Sequence, residues 1–289
     1  MVAPGNNNEP AGKKDRREAA REKARIEREA EQKRRRRNRI FINGGIGIGV
    51  LAIAAIIALV VVNSGTTSTT AGPKNMVSDG ILLSGSKMQA VKTPAIKSGE
   101  KPVKTDTSKH KKTVNIVTYI DYQCPYCNQF ETTNEAQLKT WVEQGVATLE
   151  IHPIAILDNS SLGTRYSTRA ANAAACVANY QPNNYFAVNT ALFANQPDEN
   201  TTGLNDAKIL SVLKGAGSDS PKIVSCVKNE TFSPWVKAAT TRATTKALPN
   251  TKTGKFNGTP TVLVDGEQYS GSLTDATVFE SFVASVAQG

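Results

Sequence analysis

Val114-Asn115-Ile116-Val117-Thr118-Tyr119-Ile120-Asp121-Tyr122-Gln123-Cys124-Pro125-Tyr126-Cys127 is the stretch around which the chain is organised. Val114–Asp121 is rich in β-branched and aromatic side chains, which suit a pleated, buried surface, so it is predicted as a buried strand. Pro125 has no N–H and fits the first turn of a helix, where that donor lacks a partner anyway. The helix is expected to run from about Pro125 to just before the turn residue Gly145. Cys127, Phe130, Leu138, Trp141 and Val142 then lie on or near its inner face. Cys124 stands at the helix N-terminus, where unpaired N–H groups and the helix dipole favour a thiolate, the reactive form of cysteine.

A C-x-x-C pair has three readings: half of a zinc site, a structural staple, or a redox pair. Structural zinc usually needs four ligands. The remaining candidates are Cys176, Cys226, His110 and His152, and there is no second C-x-x-C. No metal site and no cofactor are assigned. A two-residue spacer at a helix start suits thiol exchange better than stapling, so the pair is read as redox-active. Asp121 beside it either opposes thiolate formation or caps the strand end.

Towards the N-terminus, the net charge of +10 proves to be local: the first 39 residues carry 14 basic and 7 acidic side chains. Residues 1–39 are read as a basic cytoplasmic tail. The tail has no aromatic residue for base stacking, so nucleic-acid binding is not assigned. Residues 40–62 are uncharged and mostly Ile, Val, Leu, Ala and Gly. That length spans a bilayer, and it exceeds the apolar core of a signal peptide. One uncleaved transmembrane helix is expected, with the tail inside and everything after Val62 outside the plasma membrane. Residues 63–74 read as a linker, followed by a domain over 75–289 with a first strand at Gly80–Leu83.

Beyond the C-x-x-C helix, Ala147–Leu157 reads as a second buried strand, with the lone His152 in its outer half. Residues 159–250 change character. They hold an alanine-dense helix at Ala170–Ala178 with Ser160, Ser161 or Thr164 as caps, and further helices at Tyr185–Asn195, Leu204–Leu213, from Pro221, and at Ser233–Ala247. Strand character returns at Thr261–Val264. Asp265-Gly266 is a hairpin turn, Gln268–Ser270 the partner strand, and Thr274–Ala287 an amphipathic final helix.

The order βαβ, helical insertion, ββα resembles the thioredoxin fold as elaborated in DsbA-like thiol:disulfide oxidoreductases. The resemblance is carried by Cys124-Pro125-Tyr126-Cys127, the alanine-rich run ending in Cys176, Leu192–Pro197, and Gly258-Thr259-Pro260-Thr261. It implies an α/β thioredoxin-like fold with a helical insertion. It also implies a cis Thr259-Pro260 bond facing the pair, Cys124 as attacking sulfur and Cys127 as resolving sulfur. The dipeptide Pro125-Tyr126 departs from the Pro-His of the best-known periplasmic members, and membrane-anchored forms are similar to those of Gram-positive-type envelopes. The implied partners are exported proteins with reduced cysteines, and a quinone-linked membrane reoxidant of the DsbB or vitamin K epoxide reductase type. Four cysteines allow three pairings. With Cys124–Cys127 closed locally, Cys176–Cys226 is the remaining partnership, expected as a structural staple ahead of a second redox relay or two free thiols.

Overall fold

A computed structural model of the chain describes residues 71–110, 113–252 and 254–288. The basic tail and the expected transmembrane segment at 40–62 lie outside the described residues. Among those described, no helix is long and apolar enough to cross a membrane. The last residues assigned to the linker are already packed: the Gly72 N–H donates to the Ile96 carbonyl, and the Lys74 N–H donates to the Asn179 side chain.

Among the described residues six strands form one sheet: β1 (Ile81–Ser84), β2 (Gln89–Ala90), β3 (Val114–Ile120), β4 (Ala147–Pro153), β5 (Thr261–Val264) and β6 (Glu267–Gln268), ordered β2-β1-β4-β3-β5-β6. Among these strands β3 and β4 are the neighbours that pair in parallel, joined by a crossover helix, α1 (Pro125–Glu143). The β5–β6 hairpin turns at Asp265-Gly266, where both residues have positive φ, as the Asp-Gly pair predicts. β2 is two residues long, too short for any alternating pattern to announce it.

β4 stops at Pro153, earlier than the expected Leu157. Pro153 cannot donate to a ladder. The chain then leaves the sheet, and the N–H groups of Ile156 and Leu157 turn to the Asp121 carboxylate.

Alternation gives the sheet two unlike faces. Ile116, Ile120, Leu149 and Ile151 belong to the apolar core shared with Phe130, Leu138 and Val142 of α1. On the same side α7 (Ala276–Ala287) brings Phe279 against Phe130, with ring centroids 5.1 Å apart. The other face carries Asn115, Tyr119, Thr148, Glu150 and His152. It is nonetheless covered, and all seven residues of β4 are buried. Its polar groups are therefore paired: Glu150 accepts from Ser78, Thr105 and His152, and Thr148 donates to Asn115.

The insertion contains α2 (Tyr166–Tyr180), α3 (Tyr185–Ala194), α4 (Asp206–Gly215), α5 (Pro221–Lys228) and α6 (Ser233–Thr245). α2 begins four residues before the expected Ala170. Its first N–H groups are met from the preceding 3-10 turn: Ser161 accepts from Tyr166, and Asp158 from Thr168. Ser160 and Thr164 do not cap it. Cys176 of α2 and Cys226 of α5 form a disulfide, both buried.

Candidate active site

Cys124 is the N-cap of α1 and Pro125 its first residue, so the sequence's proline places the sulfur at a helix start. No side chain caps this end. Both cysteines are free thiols; Cys124 is 3% exposed and Cys127 wholly buried. Tyr126 is half-buried and Pro125 exposed.

The Thr259-Pro260 bond is cis, just ahead of β5. Because β5 pairs with β3, with Thr261 opposite Tyr119, this loop reaches the same end of the sheet as the pair. The Cys124 sulfur lies 3.3 Å from the Thr259 carbonyl oxygen, to which its thiol donates.

The two sulfurs are unequal. A hydrogen bond from Cys127 outweighs burial and holds the Cys124 thiol below its ordinary range. Burial pushes the Cys127 thiol well up, and the bond it gives to Cys124 adds to the rise. Cys124 is thus the sulfur that ionises and Cys127 the one that keeps its proton.

Asp121 does both things the sequence left open. Its carboxylate is fully buried and accepts from the N–H groups of Gln123, Ile156 and Leu157 at 2.8–2.9 Å, which ties β3 to the chain leaving β4. It also pushes the Cys124 thiol upward by charge repulsion. Burial raises its own pKa to about 6, against the lowering effect of those N–H bonds.

Three supporting residues went unassigned in the sequence. Gln196, just after α3, donates to the carbonyls of Tyr122 and Cys124. Gln123 donates to the Ser160 carbonyl. Asn189 of α3 accepts from the Tyr122 hydroxyl and donates to Glu131 of α1, a buried carboxyl whose pKa burial raises to about 7. The insertion therefore grips the redox loop from outside. Gln196 lies within the quoted Leu192–Pro197 run, but nothing local marks its contact, which is made across more than seventy positions.

His152 is not at the pair. Its ring stacks on Tyr119, with centroids 4.3 Å apart, and its Nε2 lies 3.2 Å from Glu150. Among the described residues no group of three or more His, Cys, Asp or Glu is placed to hold a metal.

Comparison with known proteins matches the family model described as Thioredoxin to residues 109–282, more than half of the chain. Among solved structures, the chain is similar to the reduced disulfide bond oxidoreductase DsbG of Mycobacterium tuberculosis. That match has 24% identity, covers 73% of this chain and 88% of that one, and has a TM-score of 0.55. Oxidised DsbA of the same organism gives 23% identity, 73% and 93% coverage and 0.54. The thiol-disulfide oxidoreductase MdbA of Corynebacterium diphtheriae gives 18% identity, 76% and 96% coverage and 0.53. At these identities the likeness is one of fold. A curated relative, the serine/threonine-protein kinase PknE of Mycobacterium tuberculosis, is 32% identical over 110 residues, which is 37% of this chain. The chain spans only 19% of that relative's length.

Proposed function

The chain belongs to the thioredoxin family, and from that premise we propose that it is a thiol:disulfide oxidoreductase that introduces disulfides into exported proteins through Cys124 and Cys127. The observation that carries this reading is the inequality of the two sulfurs, with Cys124 at the α1 start and against the Thr259 carbonyl. The fold shared with DsbA, DsbG and MdbA supports it.

In the oxidising direction a substrate thiolate attacks the Cys124 sulfur of the Cys124–Cys127 disulfide. The S–S bond breaks, a substrate–Cys124 bond forms, and Cys127 leaves and takes up a proton. A second substrate thiolate then attacks the substrate sulfur of the mixed disulfide and expels Cys124 as a thiolate. Two electrons pass from the two substrate thiols to the pair. A low Cys124 pKa makes it a good leaving group and stabilises the reduced enzyme, which makes the disulfide oxidising. The backbone next to Pro260 offers an extended substrate peptide its polar groups.

The pair must be reoxidised, and a quinone-linked membrane protein of the DsbB or vitamin K epoxide reductase type is the proposed partner. The apolar run 40–62 would keep the domain beside it, anchored in the plasma membrane and facing outward. A reductase or isomerase working through the same pair is the alternative. The fold's potentials span about −270 mV for thioredoxin to about −120 mV for DsbA, roughly 7 kcal/mol, so the measured potential separates the two.

Trapping tests the mechanism. Cys127→Ala leaves Cys124 without its resolving thiol, so mixed disulfides with envelope proteins should accumulate and vanish on reduction. Cys124→Ala should abolish both adducts and oxidation of reduced test proteins. No adducts with Cys127→Ala, together with a Cys124 pKa at or above the free-cysteine value of about 8.5, would overturn the oxidase reading.

A further inference from the structure

One cavity of the domain lies away from the cysteine pair. It lies on the polar face of the sheet, has a volume of about 720 Å³, and is closed by α6 and by the segment around Lys101. It exists because α6 turns small residues towards the sheet: Ala239 and Ala243 stand one turn apart and both line it. Ile154 and Leu248 add apolar wall. A cavity of this size matches the range that holds small organic molecules.

One polar group in the wall is unspent. The His152 Nε2 lies 3.2 Å from Glu150, and its buried Nδ1 has no hydrogen-bond partner among the described residues. The Tyr119 ring is stacked on His152 and lines the same wall. The charge of the lining is unbalanced. Arg242 is neutralised by Asp79 through two bonds at 2.6 and 2.7 Å, and Glu100 has Lys97 beside it. Lys101, Lys104 and Lys246 also line the cavity, and none of them pairs with a carboxylate among the described residues.

We propose that this cavity binds an amphipathic organic anion, with a compact apolar body against α6 and an acidic head among Lys101, Lys104 and Lys246. The body would lie on Ala239, Ala243 and Leu248, and its polar edge would meet Tyr119 and His152. An aromatic acid and the end of an acyl chain share this chemistry.

Titration calorimetry on the full-length protein, in one detergent throughout, distinguishes them with 2-naphthoate, octanoate and naphthylmethylammonium as ligands. Saturable binding of one or both acids is expected, with the cation at least tenfold weaker and higher salt weakening the acids. Binding by naphthoate alone identifies the aromatic source, and binding by octanoate the acyl one. Ala243→Phe should fill the wall and weaken binding at least tenfold. The triple change Lys101→Glu, Lys104→Glu and Lys246→Glu should do the same; all three side chains are exposed, so the fold should be kept. Absence of binding by both acids, equal binding of the cation, or undiminished binding in the triple variant would overturn the proposal.

Discussion

At Asp121 one buried carboxylate accepts three backbone N–H groups and repels the Cys124 thiolate from the same position. Its pKa of about 6 makes it charged at neutral pH. Asp121→Asn should therefore lower the Cys124 pKa and make the disulfide more oxidising, at some cost in stability because an amide replaces an acceptor oxygen with a donor. Titration of thiolate absorbance, with Cys124→Ala as the blank, checks the direction; an unchanged or higher pKa would count against the repulsion. Glu131 permits a separate test. Burial raises its folded pKa from 4.5 to about 7. Below about pH 4.5 both folded and unfolded states are protonated and nothing is lost. As pH rises towards 7 only the unfolded state ionises, so stability falls, and above 7 the loss is constant. At about 1.4 kcal/mol per pH unit the full penalty is about 3 kcal/mol. Glu131→Gln should thus gain stability over the parent at pH 8 and little at pH 4, measured by urea unfolding. A gap independent of pH would exclude the carboxyl as its cause.

Helices α2 and α5 are tied by Cys176–Cys226 across a separation of 50 residues. A crosslink of that length restricts the unfolded chain, and replacing both cysteines with Ser should cost about 2–5 kcal/mol. The redox pair sits at the start of α1, outside this loop, so thiol exchange should persist in the folded fraction. Unfolding midpoints, read beside oxidation of a reduced test protein, separate these effects. Full loss of exchange in folded protein would make the second disulfide a redox relay. The insertion's grip on the site runs instead through the hydrogen bonds of Gln196 and Asn189, the Ser160 carbonyl that accepts from Gln123, and the Phe193 ring packed 5.2 Å from that of Tyr122.

For the whole molecule, the proposed topology follows from charge: Arg34–Arg37 and Arg39 precede the uncharged run 40–62. Protease added to intact cells should digest the domain after Val62 and spare the tail. Digestion of the tail from outside would reverse the orientation. The two sheet faces are unlike, with the cysteine pair at the start of α1 and the cavity lined by Tyr119 and His152 on the other face.

Elements with a dense local signal were legible from the chain alone. The β-branched run of β3, the proline opening α1, and Asp265-Gly266 each specify backbone geometry within a few residues, and the structure follows them nearly to the residue. The pairing of functional residues was legible from the residues themselves where a motif holds them adjacent, as Cys124 and Cys127 are, and the resemblance supplied the distant Thr259-Pro260 loop. Tertiary structure alone decided that β4 ends at Pro153 and that Asp158 joins the expected Ser161 in capping α2. It also decided that Gln196 holds the redox loop, and that His152 faces a cavity rather than the sulfurs. The reason is range. Propensity, capping and turn chemistry act over a few neighbouring residues, whereas a buried polar group must find its partner wherever the fold brings one, and no local pattern records that partner's position.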